Sequence, residues 1–168
     1  STHGDWSHLH FEKIMSVQAD YLRLYTNAWR VTQDTRYLDA ARAIRRYVTA
    51  FLTSAQGGFY VSQDADLVQG EHSEDYFKLD DPGRRALGVP RVDTHVYARE
   101  NGWMIYALAN LAQATNDDAA LKDAITAARW TEKNRSLPGG GFRPDSKDTP
   151  GPHLDDNLAM ARAYLALT

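Results

Sequence analysis

Apolar residues recur along the chain with helical spacing, and two kinds of helical segment alternate. A segment from about residue 10 to residue 32 carries apolar side chains around most of its circumference, which predicts a helix buried on several sides. The next segment, residues 35–53, is apolar on one face and arginine-rich on the other, which predicts an outer, amphipathic helix. The same two kinds recur at residues 100–114 and 117–133, and residues 155–167 resemble the first kind again.

The first helical segment carries two apolar stripes. One stripe advances in steps of three and four through Ile14, Val17, Tyr21, Leu24, Ala28 and Val31. The second stripe adds Met15, Leu22, Tyr25 and Trp29. A helix with both stripes is expected to have packing partners on more than one side.

The two helix pairs are copies of one unit. The turn sequences TQD and TND begin at Thr32 and Thr115, and the phenylalanines of the two glycine-rich loops are Phe59 and Phe142. Both pairs are 83 residues apart. Each unit is therefore an inner helix, a tight turn, an outer helix and a Gly-Gly-aromatic loop. Because the turns are short, the paired helices are expected to be antiparallel.

The loop after the second helix predicts a small β-hairpin insertion near residues 57–80. The sequences FYVS at 59–62 and DYFKL at 75–79 have the aromatic and β-branched composition of strands. The corresponding loop of the second unit, residues 137–153, is rich in glycine and proline and predicts no regular structure.

Three stretches of the chain resemble a known family: HFEK at 10–13, GGFYVSQDAD at 57–66 and NGWMIYALA at 101–109. They resemble the C-terminal region of thioredoxin-domain-containing proteins of the spermatogenesis-associated type. That region is similar to the six-hairpin glycosidases and the N-acylglucosamine 2-epimerases. The resemblance implies an all-α fold class, an (α/α)6 toroid of helical hairpins in two rings, with the small β-hairpin insertion near residues 57–80.

The predicted helices are too few for a complete toroid of that kind. Residues 1–168 are therefore expected to form a single partial toroid domain of a longer chain, without the family's thioredoxin-like domain. The inner helices are then expected to expose apolar surface unless a second copy, or the remainder of the parent chain, covers it.

Composition and charge exclude several kinds of chemistry and partner. The chain has no cysteine, which excludes disulfides, thiolate metal sites and thiol catalysis. Its net charge of −3 provides no basic surface for nucleic acid. No apolar run reaches the roughly 18 residues of a membrane span. We expect a carbohydrate ligand, as the resemblance implies, and no cofactor, nucleic acid or membrane.

The first glycine-rich loop ends in two carboxylates, Asp64 and Asp66. On a strand they would lie on one side, with Cα atoms about 6–7 Å apart. Carboxylates this close repel, so one tends to keep a proton while the other is ionised, which suits an acid/base pair. Two alternatives remain open: a turn in which the aspartates cap local N–H groups, or a Ca²⁺ site completed by Glu71.

A second candidate site comes directly before the first inner helix, at His8, His10 and Glu12. His10 could act as a general base or polarise a sugar hydroxyl, with Glu12 as its partner. The His-x-His spacing is also compatible with a metal, although no third ligand is evident. In a purely structural role, Glu12 would offset the positive end of the helix and His10 would satisfy a carbonyl.

Acidic residues open the other inner helices as well, at Glu100 and Asp156. In a toroid the loops at the N-terminal ends of the inner helices surround the central cavity, and the stretch from His95 to Tyr97 is expected to line the same opening. The result would be an acidic rim for a carbohydrate. The alternative is that these acids only stabilise the helix dipole. Four aromatic residues offer stacking faces for a sugar: Trp6, Tyr60, Trp103 and Phe142.

The sequence thus predicts a protein that binds or processes a carbohydrate by carboxylate acid/base chemistry. The catalytic candidates are Asp64, Asp66, His10 and Glu12. The substrate-binding candidates are Trp6, Tyr60, Glu100, Asn101, Trp103 and Asp156. The alternative is a non-catalytic helical scaffold or regulatory module that binds a protein partner. A scaffold would scatter the acidic side chains over the surface, whereas an enzyme would gather them around one cavity.

Overall fold

The computed structural model describes residues 11–147 and 152–168, which form seven helices and three short strands. The helices are α1 (Met15–Thr32), α2 (Thr35–Phe51), α3 (Glu74–Lys78), α4 (Asp81–Leu87), α5 (Ala98–Thr115), α6 (Asp118–Arg135) and α7 (Leu154–Ala166). The strands are β1 (Lys13–Ile14), β2 (Ser62–Gln63) and β3 (Val92–Asp93). All five predicted helical segments are present, and none of the described helices is long and apolar enough to cross a membrane.

The helices form an inner and an outer layer. Helices α1, α5 and α7 pack side by side, and α2 and α6 pack behind α1 and α5. Helix α5 lies in the middle and buries residues on nearly every side. The two outer helices are joined by Arg45, which binds Asp117 at 3.2 Å and Asp123 at 2.8 Å. The predicted alternation of inner and outer helices is confirmed.

The two tight turns have the same geometry. Gln33 and Asn116 end the inner helices in the left-handed conformation, with φ of 56° and 54°. The aspartates that follow them cap the outer helices by accepting hydrogen bonds from the backbone. The glycine-rich loops also match, because isolated β-bridges join Thr53 to Phe59 and Ser136 to Phe142. These positions repeat the 83-residue offset of the sequence.

The small sheet differs from the predicted hairpin. Strand β2 pairs antiparallel with β1 on one side and with β3 on the other. The DYFKL segment, which we expected to be the second strand, lies almost wholly in α3, so that expectation is wrong. Acidic residues in its first turn and an ion pair from Lys78 to Asp75 at 2.8 Å favour the helix.

The inner helices expose apolar surface, as expected. On α1 the buried face contains Met15, Ala19 and Leu22, which belong to or adjoin the second predicted stripe. The first stripe is largely exposed: Ile14, Val17, Tyr21, Leu24 and Val31 are all at least two-fifths accessible. Helix α7 likewise exposes Leu154, Leu158 and Leu165. That a second copy or further chain covers these faces stays a prediction.

Helices α5 and α7 approach each other closely at Gly102. A Cβ atom at this position would lie 2.6 Å from the carbonyl carbon of Ala159. The glycine therefore sets the distance between the two helices, and it does so one turn from their N-terminal ends.

Candidate functional site

Two cavities open at the end of the molecule where the inner helices begin. The first, of about 340 Å³, lies beside the small sheet, and we call it the sheet cavity. Its polar lining consists of Glu12, Ser62, Gln63, Asp64, Arg91, Asp93 and Tyr97. The second, of about 320 Å³, is called the acidic cavity, and it is lined by Tyr97, Arg99, Glu100, Pro144, His153, Asp155 and Asp156. Tyr97 lines both cavities, so they adjoin along one rim.

The acidic cavity contains two buried carboxylates from neighbouring helices. Glu100 lies in the first turn of α5 with a side chain only 7% exposed. Its Oε1 accepts hydrogen bonds from Nη2 and Nε of Arg99 at 2.8 and 3.2 Å. Its Oε2 is buried and has no hydrogen-bond partner among the described residues. Such an oxygen is uncommon, since buried polar atoms in folded proteins nearly always have a partner.

Asp156, in the first turn of α7, is the second buried carboxylate. It is 4% exposed, and its Oδ1 accepts a hydrogen bond from the backbone N–H of Arg99 at 2.9 Å. Burial raises the pKa of Asp156, and the negative charge of Glu100 raises it further, against the opposing effects of that hydrogen bond and the Arg99 and His153 charges.

In the sheet cavity, Asp93 is the carboxylate that accepts the most hydrogen bonds. It accepts hydrogen bonds from Nδ1 and the backbone N–H of His95 at 2.6 and 3.1 Å. The ring of His95 in turn stacks on that of Tyr97 at 5.7 Å. Partial burial acts to raise the pKa of Asp93, but the hydrogen bonds from His95 outweigh it and the pKa lies below the ordinary value. Of the stretch from His95 to Tyr97, Tyr97 lines both cavities as expected, whereas Val96 is buried and His95 lines neither.

Asp64 and Asp66 lie on a turn and not on a strand, which corrects the expected geometry. Strand β2 ends at Gln63, and the N–H of Asp66 donates to Oδ1 of Asp64 at 3.3 Å. The turn alternative therefore describes their backbone. Both aspartates are half-buried and line a small cavity of about 130 Å³ that also includes Glu12. Asp64 lines the sheet cavity as well, so it stays close to the start of α1.

Two asparagines hold the glycine-rich loops against the inner helices. The side chain of Asn101 accepts from the N–H of Phe59 at 2.8 Å and donates to its carbonyl at 3.1 Å. Asn157 does the same for Phe142 at 3.0 and 3.3 Å. Each asparagine directly follows the acid of its helix. The repeated acid-Asn pair is the feature of the sequence from which this arrangement could have been predicted.

The same bonds fix the role of Asn101, which the sequence suggested as a substrate-binding residue. Its side chain is fully buried, and its amide also donates to the carbonyl of Tyr97 at 2.8 Å. Both polar atoms of the side chain are engaged in these bonds, so Asn101 holds the loop and offers no group to a ligand at the rim.

Three of the aromatic candidates lie within the described residues, and none of the three lines either rim cavity. Tyr60 and Phe142 are half-buried against the core. Trp103 packs under the guanidinium of Arg99, whose Cζ is 5.0 Å from the ring centroid, and lines a cavity of about 80 Å³ between the inner helices. Trp6 and His10, together with His8, lie outside the described residues.

No group of three or more acidic or histidine side chains within residues 11–147 and 152–168 is arranged to hold a metal ion. That part of the chain includes Asp64, Asp66 and Glu71. The calcium alternative for the turn after β2 therefore has no support in the described geometry.

Comparison with known proteins finds relatives that are similar in amino-acid sequence. No protein-family profile matches the chain. Spermatogenesis-associated protein 20 of Mus musculus is 42% identical over 169 residues, which cover 100% of this chain and 18% of that protein. The Homo sapiens protein of the same name is 39% identical over 66 residues, or 39% of this chain and 8% of that protein. The chain thus spans less than a fifth of the relatives it matches.

Several solved structures have a fold similar to that of this chain. A cellobiose 2-epimerase from Bacillus thermoamylovorans matches 94% of this chain and 39% of its own, with a TM-score of 0.71 and 17% identity. An unsaturated glucuronyl hydrolase from a Bacillus species matches 99% of this chain and 42% of its own, with a TM-score of 0.70 and 18% identity. The chain is therefore similar over its whole length to one part of spermatogenesis-associated protein 20, and it shares the helical-hairpin fold of the sugar epimerase and glucuronyl hydrolase structures.

Proposed function

We propose that the rim formed by the sheet cavity and the acidic cavity binds a carbohydrate and processes it by carboxylate acid/base chemistry. In this proposal Asp156 holds the proton and Glu100 binds a substrate hydroxyl. Asp64 and Glu12, on the other side of Tyr97, are the catalytic carboxylates. The reaction is either hydrolysis or epimerisation. His10 and Asp66 stay catalytic candidates from the sequence alone.

The observation that carries the proposal is the buried Oε2 of Glu100, which has no hydrogen-bond partner in the described part of the chain. Leaving a buried acceptor without a hydrogen bond costs about 1–3 kcal/mol, more for a charged group. A sugar hydroxyl in the acidic cavity would donate to this oxygen and remove the cost. Arg99 anchors the other oxygen of the same carboxylate, so the acceptor is held in place before a ligand arrives.

Asp156 suits the role of proton donor because its pKa is raised by burial and by Glu100. A carboxyl group with a raised pKa keeps its proton to higher pH than an ordinary aspartate. In glycoside hydrolysis such a group protonates the leaving oxygen, while a second carboxylate attacks or activates water.

The fold relatives support the substrate class, since their names include sugar epimerases and glycoside hydrolases. A shared fold does not fix a function, so the site residues carry the argument. The grouping of acids along one rim supports an enzyme over a scaffold: Glu12 and Asp64 line the sheet cavity, and Glu100 and Asp156 line the adjoining one.

The experiment is a screen of the full-length protein against mono- and oligosaccharides, including cellobiose, mannose and unsaturated glucuronides, with products followed by NMR. We expect turnover of at least one sugar. Asp156→Asn should lower kcat by about 100-fold or more, because general acid catalysis contributes about 10²–10⁴-fold.

The matched control is Asp118→Asn, which changes an aspartate in the first turn of α6. Asp118 is exposed and lines neither rim cavity. This variant should keep most of the activity. A complete lack of binding and turnover across the panel would contradict the proposal, and so would equal activity of Asp156→Asn and the parent protein.

A further inference from the structure

A third large cavity adjoins the sheet cavity at β2, where Gln63 and Asp64 line both. It has a volume of about 390 Å³ and lies between the small sheet, the end of α2, and helices α3 and α4. We call it the aromatic cavity, because five aromatic side chains line it: Phe11, Tyr47, Phe51, Tyr76 and Phe77. Its volume is within the range of about 300–1,000 Å³ that is usual for small-molecule sites. Apart from Asp64 at the border, the proposed carbohydrate chemistry uses none of the residues that line it.

The aromatic side chains form two stacked pairs. Phe11 stacks on Phe77 with ring centroids 4.3 Å apart, and Tyr47 stacks on Phe51 at 5.2 Å. Tyr76 meets Phe77 edge to face at 5.0 Å. Walls of this kind favour a flat apolar group, which can stack or make edge contacts with several rings at once.

Two cations at this cavity have no carboxylate partner within residues 11–147 and 152–168. The Nζ atom of Lys13 donates to the carbonyl of Phe11 at 2.8 Å, and no carboxylate among the described residues pairs with it. Arg84 likewise has no carboxylate partner in that part of the chain. The third cation, Arg85, is paired with Asp81 at 2.8 Å. Burial lowers the pKa of Lys13, and repulsion by Arg84 lowers it further.

The remaining acid at the cavity is Asp64, at its border with the sheet cavity. Three cations and two carboxylates therefore line the aromatic cavity, which leaves one positive charge in excess. An anion placed beside Lys13 and Arg84 would relieve their mutual repulsion and would make charge-assisted hydrogen bonds to both.

We propose that the aromatic cavity binds a small, flat apolar molecule that carries one carboxylate or phosphate group. The apolar part lies between the two stacked ring pairs, and the anionic group lies between Lys13 and Arg84. The two anionic groups share the chemistry that this pair of cations recognises, and the experiment below distinguishes them.

The test uses three probes of one shape with the isotopically labelled full-length protein: naphthalene-2-carboxylate, 2-naphthyl phosphate and the uncharged 2-naphthylmethanol. Affinities come from NMR titration, and the shifted amides locate the site. We expect an anionic probe to bind at least about tenfold more tightly than the alcohol, since hydrogen bonds to charged groups are the stronger class. The shifts should fall around Lys13, Tyr76 and Phe77.

Arg84→Gln should reduce that preference to about threefold or less while leaving the affinity for the alcohol unchanged. The control is Arg42→Gln, which removes an exposed arginine from α2 that lies outside the cavity lining. It should bind all three probes as the parent does. Whichever anion binds more tightly identifies the anionic group.

Three results would overturn the proposal: no binding of either anion at millimolar concentration, equal affinity for anion and alcohol, or shifts that fall on the exposed faces of α1 and α7. Sugar turnover is measured separately. The failure of either proposal therefore leaves the other standing.

Discussion

The side chain of Asn101 offers a direct test of how the glycine-rich loops are held. Replacing it with alanine removes three hydrogen bonds: one from the N–H of Phe59, and two to the carbonyls of Phe59 and Tyr97. The matched change is Asn157→Ala, which removes the corresponding bonds in the second unit.

The structure sets the expected magnitudes. Asn101 and Phe59 are both buried, so Asn101→Ala leaves the N–H and carbonyl of Phe59 without partners and without water. A buried group without a partner costs about 1–3 kcal/mol, so the loss should be about 2–5 kcal/mol in free energy of unfolding. Asn157 and Phe142 are only half-buried, and water can replace part of what is lost. Asn157→Ala should cost about 1–2 kcal/mol.

The assay is urea unfolding of the parent and both variants, followed by circular dichroism. The free energies of unfolding are compared with one shared m-value, the dependence of the free energy on urea concentration. Asn101→Ala must be the more destabilising of the two. A loss below about 1 kcal/mol, or an equal loss in both variants, would refute the claim that burial makes the first loop depend more on its asparagine.

Three further predictions concern stability. Gly102→Ala should cost about 1–3 kcal/mol because the new Cβ overlaps the backbone of the facing helix, whereas Gly139→Ala, at a site open to solvent, should change unfolding by less than about 0.5 kcal/mol. Arg45→Met should cost about 1 kcal/mol in urea unfolding by separating the two outer helices, while Arg23→Met, from an exposed pair, should cost almost nothing. Because the folded pKa of Asp156 is raised, its contribution to stability is present at low pH and is lost as pH rises through that pKa. Asp156→Asn should therefore become more stable relative to the parent as pH increases from about 3.8, and a flat or opposite trend in unfolding curves would contradict this.

The helical layers were predictable because they follow from periodicity and from an internal repeat. The paired turns at Gln33 and Asn116 are single left-handed residues, and their sequence context is nearly identical in the two units. The inner position of α5 was predictable from its apolar circumference. For α1, the sequence carried two stripes but no sign of which one the neighbouring helices would cover.

The sheet and the site were less predictable because they depend on distant partners. Strand β2 pairs with residues before α1 and after α4, and nothing local distinguishes these partners from the residues that form α3. The positions of Glu100 and Asp156 on the rim followed from their place at helix starts. The burial that raises the pKa of Asp156 depends on how α5 and α7 pack together, which they do most closely at Gly102.

In the function proposed here, the starts of the inner helices form one carbohydrate-binding rim. NMR mapping of the full-length protein with a sugar that it binds, repeated with Glu100→Gln, tests whether they do. We expect shifts of the amides of Tyr97, Glu100 and Asp156, and weaker binding in the variant. Shifts confined to other surfaces, or unchanged affinity in Glu100→Gln, would contradict it.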